Sequence, residues 1–158
     1  MYRIRSWSVR NARWLKSAYA AFETLLVWID PLLRRVGYDR LDKPFAAIEK
    51  VTKGLLLDSQ GCGQCIVGAT GLSCPMNCPK KIRNGPCGGV RSDGTCEVDA
   101  KMPCVWVLAW EGNKRFADNG YPIQRLQPPV DNRLIGKSAW LREVRSRTQP
   151  TRETPREV

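Results

Sequence analysis

Large apolar residues recur at three- and four-residue steps from position 14 to position 33, and this spacing places them on one face of a helix. Pro31 falls late in that run and should end or kink the helix, and Gly37 is a natural stop. The pattern therefore predicts a first long helix, whose apolar face consists of Trp14, Leu15, Ala18, Phe22, Leu25, Leu26, Ile29 and Leu33.

A second helix is predicted from Asp42, a good N-cap residue, with Pro44 in its first turn. Its apolar face comprises Phe45, Ile48, Val51 and Leu55. Together the two helices predict a helical hairpin that fills residues 1–57. Three uses of its apolar faces remain open: packing against each other and the rest of the chain, docking to a larger subunit, or lying in a membrane interface.

The hydrophobic period disappears between residues 58 and 104, where Gly, Pro and Asn recur every few positions. Ordering a backbone costs about 1–2 kcal/mol per residue, and this stretch has few large apolar side chains to offset that cost. Bound metal contributes on the order of 10 kcal/mol in small thiolate domains. We therefore predict a Cys-rich, metal-stabilised loop domain over residues 58–120.

The last third begins with the short apolar run from Val105 to Trp110, which we expect to pack beside the metal site, with Gly120 closing this region. An extended arm with a brief helix near residues 138–144 is predicted over 121–144, and a disordered tail over 145–158. The predicted fold class is thus small α plus irregular: a helical hairpin, a metal-stabilised loop domain and an extended C-terminal arm.

All seven cysteines lie in the middle segment, with the spacing Cys62-x2-Cys65-x8-Cys74-x3-Cys78-x8-Cys87-x8-Cys96-x7-Cys104. The odd number argues against a disulfide framework. Because the chain has no histidine, cysteine, a carboxylate or an exogenous group must complete any site. All seven are candidate metal ligands: one complete four-ligand site and a second with three, to which Asp58, Asp93, Ser59 or an outside group adds the last. Zinc and iron–sulfur clusters both suit such ligands.

The net charge of +11 is carried by the flanks of the cysteine segment. Basic residues outnumber acidic ones by eleven to five over residues 1–57, five to four over 58–104, and ten to six over 105–158. This excess either offsets the negative charge of a thiolate site or attracts an acidic partner such as a ferredoxin, or nucleic acid.

The apolar run from Ser17 to Ile29 contains Glu23 and is shorter than the about 20 residues that span a bilayer. We therefore expect a cytoplasmic protein with reduced thiols and no transmembrane segment.

The segment CGQCIVGATGLSCPMNCPKKIRNGPCGGVRSDGTCEV, followed by CVW at Cys104–Trp106, resembles the family of methylenetetrahydrofolate reductase C-terminal domains. The later QPPVDNRLIGKSAW, Gln127–Trp140, resembles the closing motif of the same family, so the resemblance covers about residues 58–144. In acetogenic and other bacteria this domain is a separate small subunit beside a flavin-bearing catalytic subunit. All seven cysteines fall on cysteine positions of the family.

The resemblance implies one or two [4Fe-4S] clusters, with zinc in some members, that relay electrons to the flavin of the partner. It implies that the flavin and the folate pocket belong to the partner, so this chain carries no flavin and is a non-catalytic subunit. Family members commonly have a further cysteine three residues before the Cys-x2-Cys pair, where this chain has Ser59. One site is therefore expected to be incomplete or filled differently.

Two other functions are compatible with the residues. In the first, Zn²⁺ is purely structural and the chain stabilises the same reductase complex without electron transfer. In the second, the chain is a basic zinc-ribbon protein that binds nucleic acid, although its basic residues lie outside the cysteine loops and lack the interleaved aromatics of a stacking surface. Catalysis by the chain itself is disfavoured, since it has no histidine base and no phosphate-binding glycine loop after a strand.

Overall fold

The computed structural model describes residues 2–116 and 122–149. Helices dominate this part of the chain, and no strand is formed there beyond two isolated bridges, Val90 with Cys96 and Thr95 with Pro103. The helices are α1 (Tyr2–Arg10), α2 (Ala12–Trp28), α3 (Asp30–Val36), α4 (Tyr38–Leu57), α5 (Val105–Asn113) and α6 (Ala139–Thr148). Short 3-10 turns occupy Pro75–Asn77, Pro122–Gln124 and Asn132–Leu134.

The helical character predicted for residues 1–57 is confirmed, but the simple hairpin is wrong: four helices replace two. The first apolar run breaks at Ile29, because Pro31 lacks the N–H that would continue the helix and instead lies in the first turn of α3. Gly37 ends α3 with a φ of 96°, a conformation that favours glycine. Helix α4 begins directly after it, four residues before Asp42, so Pro44 lies inside the helix rather than at its start.

The largest helical core forms where α2, α3 and α6 meet. Its fully buried members are Leu26, Leu33, Trp140, Leu141 and Val144. The ring of Phe22 contacts Trp140 edge-on, with 4.7 Å between centroids. This core contains no residue of the cysteine segment, so apolar contacts among the helices themselves stabilise this part of the fold.

The cysteine segment contributes little apolar material. Apart from cysteines, its buried hydrophobic residues are Val67, Leu72 and Met102. Val67, Leu72 and Cys74 pack with Ala12 and Leu15 of α2, Leu57 of α4 and Phe116. The segment therefore obtains its apolar contacts from the surrounding helices, while its own backbone stays irregular.

The residues on the C-terminal side of the segment also differ in detail from expectation. The apolar run after Cys104 forms helix α5, whereas Gly120 lies outside the described residues. Residues 125–131 have no regular structure and are attached to the cysteine segment, where Gln64 donates to the Asp131 carbonyl at 2.8 Å and Asn84 to the Gln127 carbonyl at 2.8 Å. Helix α6 continues to Thr148, past the predicted start of the tail at 145, and residues 150–158 lie outside the described part.

Helix α6 is anchored through a buried carboxylate on α4. Glu49 accepts from the Ser138 hydroxyl at 2.9 Å and from the Trp140 N–H at 3.2 Å. Ser138 caps the helix by accepting from the Leu141 N–H. Within the described residues, no helix combines the length and hydropathy that a membrane span requires.

A buried ion pair connects α1 to the entrance of the cysteine segment. The Arg5 Nε lies 2.6 Å from Asp58 Oδ2, and both side chains are about nine-tenths buried. Asp58 ends α4 in a left-handed conformation, with φ at 50°, and its carbonyl accepts from Asn77 at 2.7 Å. The pair thus fixes the direction in which the chain leaves α4 towards Cys62.

Replacing Arg5 by Met is expected to lower the free energy of unfolding by about 3–5 kcal/mol, because the Asp58 carboxylate is left buried without its counter-charge. Urea unfolding followed by circular dichroism measures the loss. The double variant Arg5→Met/Asp58→Asn removes both charges, and Asn tolerates the left-handed conformation, so much of the stability should return. Equal losses in the single and double variants would contradict the role given to the ion pair.

Candidate metal centre

Three of the seven cysteines border one small cavity. Cys62, Cys65 and Cys74 line a space of about 20 Å³, together with Ser59 and Met76. A cavity needs about 10–15 Å³ on this scale to hold one water molecule, so the space suits a single ion. Two helices border it, because Glu49 of α4 and Ala139, the first residue of α6, line the space.

Backbone N–H groups of the loops around the cavity act on two of the thiols. The amide of Val67 works to lower the pKa of Cys65, two residues earlier, and the amide of Met76 does the same for Cys74 in the same i+2 arrangement. A second amide, that of Gln60, also works to lower the pKa of Cys74. Amide donors of this kind stabilise a thiolate and orient it as a ligand.

The tight turn that carries Cys62 depends on two glycines. Gly61 and Gly63 have φ of 62° and 71°, a region that other residues rarely occupy. Gly63 also packs against the backbone of Leu134, so a side chain there would strike the Leu134 carbonyl. The turn therefore lies against the 3-10 turn Asn132–Leu134 of the C-terminal arm.

A buried lysine lies beside the second cysteine. Lys53 of α4 forms an ion pair with Glu49, with 2.6 Å between Nζ and Oε1, and its positive charge works to lower the pKa of the Cys65 thiol. Its ammonium lies 5.1 Å from the ring centroid of Trp140, within cation–π range. Burial opposes the charged form of Lys53, but the Cys65 thiolate and the Glu49 carboxylate outweigh it and raise its pKa above the ordinary value. The site thus contains a permanent positive charge.

Without metal, the thiols at this site favour the protonated form. Burial raises the pKa of Cys65, against the opposing effects of the Lys53 ammonium and the Val67 amide. Burial likewise raises the pKa of Cys74, while its two amide donors lower it. Metal binding must therefore displace protons from these thiols.

The other four cysteines lie outside this cavity. Cys78 is buried directly after the Pro75–Asn77 turn, and Cys104 is buried at the start of α5. Cys96 is buried on the bridge with Val90. Cys87 is half-buried, 3.9 Å from the Lys80 ammonium, which also contacts Glu97.

Over residues 2–116 and 122–149, no three cysteine or acidic side chains are arranged as a finished ligand group. Cys62, Cys65 and Cys74 border a common space, and an ion would have to draw their sulfurs together. The donor chemistry nevertheless fits a thiolate metal site: three soft ligands, backbone amides that favour the thiolate form of two of them, and a cation to offset their charge.

Comparison with known families tests the resemblance independently. The family described as methylene-tetrahydrofolate reductase C terminal matches residues 38–133, well over half of the chain. The chain belongs to this family. The match begins at the first residue of α4, so this helix is part of the reductase C-terminal domain even though its sequence alone gave no such indication. Helices α1 to α3 precede the match, and it ends at residue 133, halfway through the Gln127–Trp140 motif.

No curated protein and no solved structure matches the chain. Sequence reasoning identified the cysteines but overlooked Lys53 and Glu49. Their i, i+4 spacing was visible, but such pairs are usually solvent-exposed, and only the packing of α4 against α6 shows that they are buried.

Proposed function

We propose that this chain is a metal-binding accessory subunit of a methylenetetrahydrofolate reductase complex, with the metal at the cavity bordered by Cys62, Cys65 and Cys74. The position of three cysteines around one cavity carries this proposal. Membership of the reductase C-terminal family supports the proposal that the complex is a methylenetetrahydrofolate reductase. The partner would be the flavin-bearing catalytic subunit.

In the first version of this function, a [4Fe-4S] cluster accepts single electrons from a donor such as a ferredoxin and passes them to the partner's flavin. The chain's own residues would hold the cluster through thiolates, and the Lys53 ammonium would favour the more negative, reduced state of the site. Cys78, Cys87, Cys96 and Cys104 are further candidate ligands. The basic surface of the chain would attract an acidic donor.

In the second version, the ion is structural Zn²⁺ and the chain stabilises the complex without electron transfer. Two observations favour it. The cavity has room for one ion rather than four irons and four sulfides, and Ser59 lies on the cavity wall at the position where family members commonly have a cysteine. A serine hydroxyl is a much poorer ligand for iron or zinc than a thiolate.

Purification without oxygen, followed by metal analysis and visible spectroscopy, tests the function and separates its versions. An iron–sulfur relay requires iron, acid-labile sulfide and broad visible absorption that bleaches on reduction. Structural zinc requires about one zinc per chain and no colour. Replacing Cys65 by Ala should remove the metal of this cavity, whereas the change of Lys101, an exposed residue of the same segment, to Ala should not. A metal-free, folded wild-type chain would refute both versions.

A further inference from the structure

An apolar groove lies open to solvent between α2 and α4. Its volume is about 190 Å³, and its surface is almost entirely apolar. The floor is formed by side chains of both helices and of α6, chiefly Leu15, Ala18, Tyr19, Phe22, Leu56 and Trp140. We call this feature the α2–α4 groove. It is distinct from the metal cavity, since no cysteine lines it.

Exposed apolar ridges lie on both of the helices that form the groove, and the α2 ridge shares Ala18 with its lining. On α2, Trp14 and Trp28 are 66% and 77% exposed, and on α4, Leu55 is 69% exposed. The α2 ridge consists of Trp14, Ala18, Ala21, Leu25 and Trp28. These residues are separated by four and three positions in turn, which is the spacing of a helix that packs along another helix. The α4 ridge is Ile48, Val51 and Leu55. Exposed tryptophans and aliphatic residues on the same helices as an apolar groove are typical of a protein interface.

The charge of the helical region that contains α2 and α4 indicates the chemistry of the occupant. Over residues 2–57 a single exposed acidic side chain, Asp39, stands against eight exposed basic ones: Arg3, Arg10, Arg13, Arg34, Arg35, Arg40, Lys43 and Lys50. Such an excess attracts an acidic partner and repels a second copy of this chain, whose net charge is +11. The occupant is therefore expected to combine an apolar face with acidic flanks.

Two other occupants fit less well. Residues 150–158, PTRETPREV, contain only one large apolar residue, so they cannot fill an apolar groove. A lipid bilayer is planar and would cover the ridges while leaving the concave floor between them empty. A helix placed between the ridges would instead reach the floor with its side chains.

We infer that the α2–α4 groove docks an amphipathic helix with acidic flanks from another protein. The inference goes beyond the metal-binding function and stands whichever metal the cysteines hold. It also goes beyond the family match, because α2, which forms one wall, precedes residue 38. The apolar side chains of the docked helix that enter the groove would be spaced at i, i+3, i+4 and i+7.

Two synthetic peptides test this inference. The first has 21 residues, with Leu at the a and d positions of each heptad and Glu and Ala elsewhere, and the second has Lys in place of each Glu. Titration followed by calorimetry and by tryptophan emission should show binding of the acidic peptide at least tenfold tighter than that of the basic one. The affinity should fall as salt is added, because part of the attraction is ionic.

Variants locate the binding site. Ala18→Glu changes an exposed residue of the groove lining, and Leu55→Ser changes an exposed residue of the α4 ridge; each should weaken binding of the acidic peptide at least tenfold. Leu126→Ser, at a residue that is 87% exposed and outside the groove, should leave binding unchanged. Metal content and thermal unfolding of all three variants should match the parent chain, which separates failure here from failure of the metal-binding proposal.

Several outcomes would overturn the inference. The chain could bind neither peptide, or it could bind both peptides equally tightly. Leu126→Ser could also weaken the acidic peptide as much as the groove variants do. A blue shift of tryptophan emission with phosphatidylglycerol vesicles that Leu55→Ser abolishes would assign the groove to a membrane instead. A concentration-dependent dimer, seen by sedimentation and lost in Leu55→Ser, would assign it to a second copy.

Discussion

Replacing Ser59 by Cys is expected to raise the affinity of the cavity for Zn²⁺ on the order of a hundredfold. Ser59 lines the same cavity as Cys62, Cys65 and Cys74, so the new thiol would supply a fourth soft ligand. Structural zinc sites with four ligands bind with about 10–16 kcal/mol, or about 3 kcal/mol per ligand, which corresponds to that change in affinity. Competition with a coloured chelator under reducing conditions measures it.

The control is Ser92→Cys, which adds a thiol to an exposed position of the cysteine segment. It should leave the affinity unchanged, since position 92 does not border the cavity. If the chain instead holds a cluster, Ser59→Cys should increase the iron and sulfide retained after purification, and Ser92→Cys should not. An unchanged affinity in Ser59→Cys would show that position 59 does not take part in ligation.

Removing the metal with a chelator under reducing conditions is expected to unfold residues 58–104 while the helical core survives. The segment buries only three large apolar side chains besides its cysteines. Their burial cannot compensate for the loss of about 10 kcal/mol of metal-binding free energy. Hydrogen exchange measured by mass spectrometry should show protection lost across the cavity loops, from Gln60 to Met76 above all.

The helices provide the internal control for that experiment. The core of Leu26, Leu33, Trp140, Leu141 and Val144 contains no residue of the cysteine segment, so α2 and α6 should keep most of their protection. Far-ultraviolet circular dichroism should fall only modestly, and zinc or reconstituted cluster should restore the lost protection. Unchanged exchange in a chelated, metal-free chain would contradict metal dependence of the segment. Loss of protection in every helix at once would instead show that the chain folds as one cooperative unit.

Local patterns were informative wherever the responsible interaction is local. The three- and four-residue spacing in the first third reports the geometry of a helix, which requires no distant partner. Pro31 and Gly37 act on their own backbone, and both mark helix boundaries in the structure. The start of α4 was misplaced because Pro44 was assigned to a first turn, although the tertiary packing of α4 against α3 and α6 tolerates it inside the helix.

The sequence by itself determined that this chain is largely helical at its start, that its cysteines are confined to an irregular segment, and that it belongs to the reductase C-terminal family. Those properties depend on residue types and their spacing. Only the tertiary structure decided that Cys62, Cys65 and Cys74 share a cavity with Ser59, that Lys53 is buried beside Cys65, and that an apolar groove stays open between α2 and α4. Spacing limits how far a loop can reach, but long-range packing of the helices decides which loops meet and which surfaces remain uncovered.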